Sequence, residues 1–225
     1  MATTVDETTK LREAAPVPAP EPQRQPLSPK ARRGLLIAAG AIVLAALIAW
    51  GVVVTGQRKE AFAARSLDQA RSIAETGNLT EASAALQRIV QSFPGTAAAQ
   101  EAVLTLNQVR LINNQNELAV VNLRDFLGQK HDPALVTAAN ALLGAAYENS
   151  QKPAEAAEAF KTAAAAAGTD FLKAEYLVNA GRAYRNAGKS AEAIAVYREV
   201  VQKYPKSTSM TEAQVRLAEL TAGKL

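Results

Sequence analysis

A recurrence every 37 residues constrains this chain more than any other feature. Ala82, Ala119, Ala156 and Ala193 stand 37 apart, and four residues after each come Leu86, Leu123, Phe160 and Tyr197. A small residue followed at i+4 by a large apolar one puts both on one side of a helix. Self-similarity at this period marks stacked supersecondary units, none of which can bury its apolar face alone. The expected fold class is all-α, an α-solenoid of about four helical hairpins plus a capping helix, preceded by one transmembrane helix.

The anatomy of one unit is clearest in Ala174–Pro205, AEYLVNAGRAYRNAGKSAEAIAVYREVVQKYP. Gly181 and Tyr184 fall on a first helix and Gly188 marks a turn. Ala193, Tyr197 and Val200 line a second helix, which Pro205 ends. Small residues let two helices approach closely, and the aromatic fills the groove between neighbours. Gly77 and Asn114 hold the turn place in earlier units. A final helix from about Thr208 to Leu220 carries Ala213, Leu217 and Leu220 on one face and is expected to cap the array.

These residues resemble the tetratricopeptide repeat (TPR) pattern of Leu/Gly, Tyr, Gly, Ala, aromatic, Ala and Pro. The fourth unit matches through Gly181, Tyr184, Gly188, Ala193, Tyr197 and Pro205, and the third through Leu143, Gly144, Tyr147, Ala156, Phe160 and Ala163. The first matches in its second half, with Gly77, Ala82, Leu86, Ile89 and Pro94. The second retains Leu106, Ala119, Leu123 and Phe126. The period exceeds the family's usual 34, which longer links such as Ala167-Gly168-Thr169-Asp170 accommodate.

Ahead of the repeats lies Gly34–Thr55, GLLIAAGAIVLAALIAWGVVVT, a run without a charge. At ~1.5 Å per residue it spans a ~30 Å hydrocarbon core. Ala61-Phe62-Ala63 resembles a signal-peptidase site, but Arg58-Lys59-Glu60 separates it from an apolar region too long for a cleaved signal. An uncleaved anchor is expected over 34–55. Lys30, Arg32 and Arg33, with Arg24 further back, outweigh Arg58, Lys59 and Arg65 on the other side. That bias places the N-terminus in the cytoplasm and the repeats outside. Trp50, near the outer end, suits an interfacial position. Residues 1–33 hold Pro16, Pro18, Pro20, Pro22, Pro26 and Pro29 and few bulky apolar side chains, the composition of a disordered tail. The repeat domain is expected over 57–225.

Little in the chain points to catalysis. No cysteine is present, and His131, the one histidine, stands beside Asp132-Pro133 in a link where a solvated role is expected. No H-E-x-x-H, P-loop or G-x-S-x-G motif is found, so neither a catalytic set nor a cofactor or metal site is expected. The formal net charge of +4 is dispersed along the helices, without the clustered basic face and stacking aromatics of a nucleic-acid binder.

Binding of other proteins or extended polypeptides is the use such a scaffold suggests, because stacked first helices line one long face. The repeat register places Leu67 and Arg71 on that face, then Leu104, Gln108 and Leu111. Ala141, Ala145 and Glu148 follow, then Val178, Arg182, Arg185 and Asn186. The face is expected to be apolar in the middle and cationic towards its C-terminal end. TPR domains that grip a terminal carboxylate use a Lys/Asn/Arg set, but the corresponding places hold Leu67, Leu104 and Ala141, which excludes that clamp.

In layout, a short tail, one uncleaved helix and a TPR-like domain resemble the bacterial ancillary SecYEG translocon subunit family. The resemblance implies a scaffold in secretion or envelope biogenesis, with its TPR domain in the periplasm contacting the translocation channel and chaperones. Two other readings stand beside it. One is a cytosol-facing membrane scaffold or oligomerisation module, the other a secreted cell-envelope TPR protein.

Overall fold

The computed structural model describes residues 28–222. Among these residues there are nine helices and no strand: α1 (Pro29–Glu75), α2 (Leu79–Ser92), α3 (Ala97–Ile112), α4 (Asn116–Leu127), α5 (Pro133–Asn149), α6 (Pro153–Ala166), α7 (Asp170–Asn186), α8 (Ser190–Lys203) and α9 (Ser209–Thr221). The chain divides into two compact units, residues 1–52 and 53–225. The second contains four hairpins, built from the C-terminal part of α1 with α2, then α3/α4, α5/α6 and α7/α8, and closed by α9.

The apolar run is not a helix of its own. α1 passes through Gly34–Thr55 and continues to Glu75, so the first repeat takes its first helix from the same continuous element. The expected boundaries at Thr55 and Gln57 fall inside that helix, since a lone Gly56 costs only ~1 kcal/mol relative to alanine and cannot stop propagation. Its start also differs. Pro29 to Arg33, expected in the tail, are helical, with Pro29 at the first position, where a missing N–H costs nothing. The rest of that tail, residues 1–27, lies outside the described residues. An 18-residue window of α1 has a mean hydropathy of 2.6, with none of it buried.

In each hairpin one repeat position on the first helix is matched with a large residue on the second. The homologous pairs are Ala70 with Leu86, Asn107 with Leu123, Gly144 with Phe160 and Gly181 with Tyr197, all buried. A Cβ added at Gly144 would lie 2.7 Å from the Phe160 ring, and one at Gly181 would lie 2.6 Å from the Tyr197 ring. Glycine is therefore required where the partner is aromatic, and alanine suffices where it is leucine. In the second repeat Asn107 occupies the small position with no exposure and donates to Val103 O at 2.8 Å. The Tyr197 hydroxyl is buried without a hydrogen-bond partner among the described residues, so the ring rather than the hydroxyl serves the packing, as Phe160 does one repeat earlier.

The turns repeat with the same period. Gly77, Asn114, Gln151 and Gly188 stand 37 residues apart, and each adopts a positive φ, of 85°, 55°, 58° and 72°. In the last three turns the next residue's N–H reaches five residues back: Gln115 to Arg110 O, Lys152 to Tyr147 O and Lys189 to Tyr184 O, at 2.8–2.9 Å. This is the Schellman closure, which satisfies orphan carbonyls at the helix end and needs one left-handed residue. Gln151 is the β-carbon-bearing exception without asparagine's local compensation.

Caps and joints fix where the helices begin. Asn78 accepts from Glu81 N, Thr96 from Ala99 N and Thr169 from Leu172 N, while Pro133 and Pro153 open α5 and α6. The first joint is reinforced from α1. The Glu60 carboxylate accepts from Ala97 N at 2.8 Å and Ala98 N at 2.9 Å, and Lys59 Nζ donates to Pro94 O at 2.9 Å. A carboxylate across two free N–H groups at a helix start adds a charge-assisted bond to a favourable helix dipole.

His131 departs from its expected solvated role. Its ring stacks on Phe126 at 3.6 Å and 6°, with Nδ1 3.0 Å from Gln100 Oε1 and Nε2 2.8 Å from Phe126 O. It occupies the repeat position held by Pro94 and Pro205 and ties the second link back to α3 and α4.

Two measurements check this packing. Gln151→Gly removes a left-handed strain of ~1 kcal/mol and should raise the melting temperature. An unchanged or lower value would show that the turn conformation costs nothing there. The second concerns Tyr184, whose hydroxyl donates to the Glu158 carboxylate and holds it below the usual carboxylate range. Such stability is present above the unfolded-state value and is lost as pH falls through the depressed one. The gap in melting temperature between the wild type and Tyr184→Phe should therefore narrow on acidification through the carboxylate range. A gap independent of pH would contradict the assignment.

Candidate functional site

The first helices of successive repeats lie side by side and are tied by ion pairs at both ends of the array. Arg71 on α1 meets Glu101 on α3 at 3.0 Å. Near the other end Arg182 on α7 forks onto Glu148 of α5, with Nη2 at 3.0 Å and Nε at 3.4 Å, and Arg185 reaches Glu219 of α9 at 3.4 Å. The partners lie 30 to 34 residues apart in sequence, about one repeat. These pairs are partly exposed, so each contributes at most ~1 kcal/mol of stability. Their main effect is electrostatic, because each arginine faces a carboxylate.

That corrects the expected cationic end. Arg182 and Arg185 form a zwitterionic lattice with Glu148 and Glu219, and the arginine charge is neutralised within the array. The helical register places Glu148 on the face without revealing its role as partner. It does not reveal Glu101 or Glu219 at all, although opposite charges one repeat apart on first helices are a signal readable from the sequence.

Between the paired ends the face changes character. Gln108 is exposed on α3, and Leu111 and Ala145 are partly exposed on α3 and α5. The repeat positions that carry Arg71 and Arg182 carry Gln108 and Ala145 here, and the position of Glu148 carries Leu111. The middle of the face is thus an uncharged strip bounded by ion pairs. Asn186 is exposed beyond the C-terminal pairs, and Ala141 is partly exposed beside Ala145.

Leu104 and Val178 do not belong to this strip. Leu104 is 8% exposed and packs with Leu123, Phe126 and Leu143, while Val178 is 3% exposed in the core of the last two repeats. Leu67 is 2% exposed and packs against Leu86 and Leu106. A first helix packed on both its own second helix and the next repeat buries more of its circumference than a two-sided helical count suggests. Elsewhere a cleft of about 400 Å³ opens at the first link, lined in part by Val90, Pro94, Val103, Phe126 and His131.

The comparisons with known proteins agree with this geometry. The profile of the tetratricopeptide repeat-like domain matches residues 31–222, which takes in the apolar run as well as all four hairpins. A crystal structure of a MamA protein superposes with a TM-score of 0.58 at 19% identity, over 72% of this chain and 82% of that one. The TPR-like repeats of a Podosopora anserina putative kinesin light chain give 0.57 at 19% identity, over 71% and 85%. A tetratricopeptide repeat protein from Parabacteroides merdae ATCC 43184 gives 0.56 at 12% identity, over 71% and 60%. At such identities the likeness speaks for the fold. No curated protein sequence matches. With that profile matched from residue 31 to residue 222, the chain belongs to the tetratricopeptide repeat-like domain family.

Proposed function

We propose that this chain is a membrane-anchored scaffold whose first-helix face receives extended segments of other proteins. The fold is an interaction scaffold, and the observation that carries the reading is the uncharged strip of Gln108, Leu111 and Ala145 between two sets of ion pairs. Partly exposed apolar side chains on a preformed surface offer shallow contacts to an extended ligand, and the flanking pairs supply polar edges without attracting one sign of charge. Anchoring rests on the length of α1 and on the 2.6 mean hydropathy of its apolar window, none of which is buried.

The place of this scaffold is the bacterial inner membrane, N-terminus cytoplasmic, repeats in the periplasm. Lys30, Arg32 and Arg33 at the start of α1 support that orientation. A role in secretion or envelope biogenesis, beside the translocation channel or its chaperones, follows from the layout of anchor and array. A second reading, an oligomerisation module, is favoured by Ile112, Leu118 and Val121, which stand 54–67% exposed around the second hairpin.

Because the chain has no cysteine, single thiols can be placed at will. Leu111→Cys and Leu118→Cys, each treated in intact bacterial cells with a membrane-impermeant thiol crosslinker, test face and topology together. The proposal expects Leu111→Cys to capture a different polypeptide without permeabilisation. Adding Ala145→Asp should cut that capture roughly tenfold, equivalent to ~1.4 kcal/mol of binding. Capture of a second copy through Leu118→Cys would favour oligomerisation. Reaction only after permeabilisation would place the array in the cytosol.

A further inference from the structure

Beyond the apolar run α1 presents two different faces. One is committed to the repeats: Lys59 and Glu60 bind the start of α3, and Ala63, Leu67 and Ala70 are buried. The other carries Arg58, Ala61, Phe62 and Arg65, all exposed, at i, i+3, i+4 and i+7 on one stripe. Phe62 is 59% exposed.

Arg71, Arg182, Arg185 and Arg216 each meet a carboxylate. Arg58 and Arg65 share with Arg88, Arg110, Arg124 and Arg198 the lack of an ion pair among the described residues, but of these they alone lie beside the apolar run. Glu60, two residues from Arg58, is turned to the helix N-terminus at Ala97 and Ala98, and Asp68, three residues from Arg65, enters no ion pair among the described residues. Of the three basic residues that follow the run, Lys59 is committed to Pro94 O, while the other two flank an exposed aromatic.

We infer that the Arg58–Phe62–Arg65 stripe is a docking surface for the headgroup layer of a bilayer containing anionic phospholipid. The inference rests on the membrane reading given above. Arg58 follows Thr55 by three residues, and Phe62 and Arg65 lie about 10 and 15 Å along the helix axis at ~1.5 Å per residue. Helical side chains lean towards the N-terminus, here back towards the apolar run, which shortens the reach of both. An ordinary helix tilt of about 20° brings one stripe of such a helix closer to the surface than its opposite. Guanidinium groups bind phosphate oxygens in a forked geometry, and an aromatic ring between them suits the interface. Charge complementarity and the short chain distance from the run favour lipid over a soluble acidic partner.

The test uses the full chain with its one tryptophan moved: Trp50→Phe with Phe62→Trp, a change at an exposed site. The protein is reconstituted into vesicles of phosphatidylcholine, with or without phosphatidylglycerol, and checked by flotation. Emission from the relocated indole should shift to the blue and be quenched by brominated lipid in the anionic vesicles. Arg58→Gln with Arg65→Gln should abolish that response while flotation persists. A chain that floats but whose indole emission ignores lipid charge and bromination overturns this inference and leaves the anchor standing. A chain that does not float overturns the anchor and the inference together.

Discussion

The array depends on one recurring contact, a large side chain of the second helix seated against a small residue of the first. It sets how near the two helices of a hairpin can come, and so how much apolar surface each repeat buries. The four instances are solved differently. Glycine admits an aromatic ring in the third and fourth repeats, while the matching positions hold alanine and leucine in the first and a back-bonded asparagine and leucine in the second, all buried. Volume is exchanged across the contact, while the spacing of 37 residues keeps each pair in place.

That packing places the first helices in a row, and the row gives the face its electrostatics. Arginines that would otherwise make it cationic meet carboxylates on the neighbouring first helix or on the capping helix, leaving an uncharged middle. A surface of this kind discriminates by shape and apolar contact more than by charge. Glu60 ties the start of α3 to the same helix that carries the apolar run, so the first joint of the array is held by the element that precedes it.

Most of the fold was legible in the sequence because a repeat states its constraints several times. Four alanines and four large residues at one spacing revealed the hairpins, and glycine or asparagine revealed three of the four turns. The fourth turn was hidden because Gln151 carries no turn preference and is held left-handed by the hydrogen bonds of its neighbours. The helix boundaries after the apolar run were hidden too, since nothing between Thr55 and Lys59 breaks a helix and nothing local reports where lipid ends. The face was read in part. A helical register indicates which residues share a side, but burial of Leu104 and Val178 depends on the neighbouring repeat, and pairing of Arg185 with Glu219 depends on a helix one repeat away.

A double-mutant cycle on Gly181 and Tyr197 tests the governing contact most directly. Gly181→Ala alone should cost ~1–3 kcal/mol, because its Cβ would meet the ring. Tyr197→Leu alone should cost a comparable amount through the space it leaves. Combined, they recreate the alanine–leucine pair of the first repeat, and the loss should fall short of the sum by at least ~0.5 kcal/mol. Strictly additive losses would contradict the account, showing that the two residues stabilise the array independently.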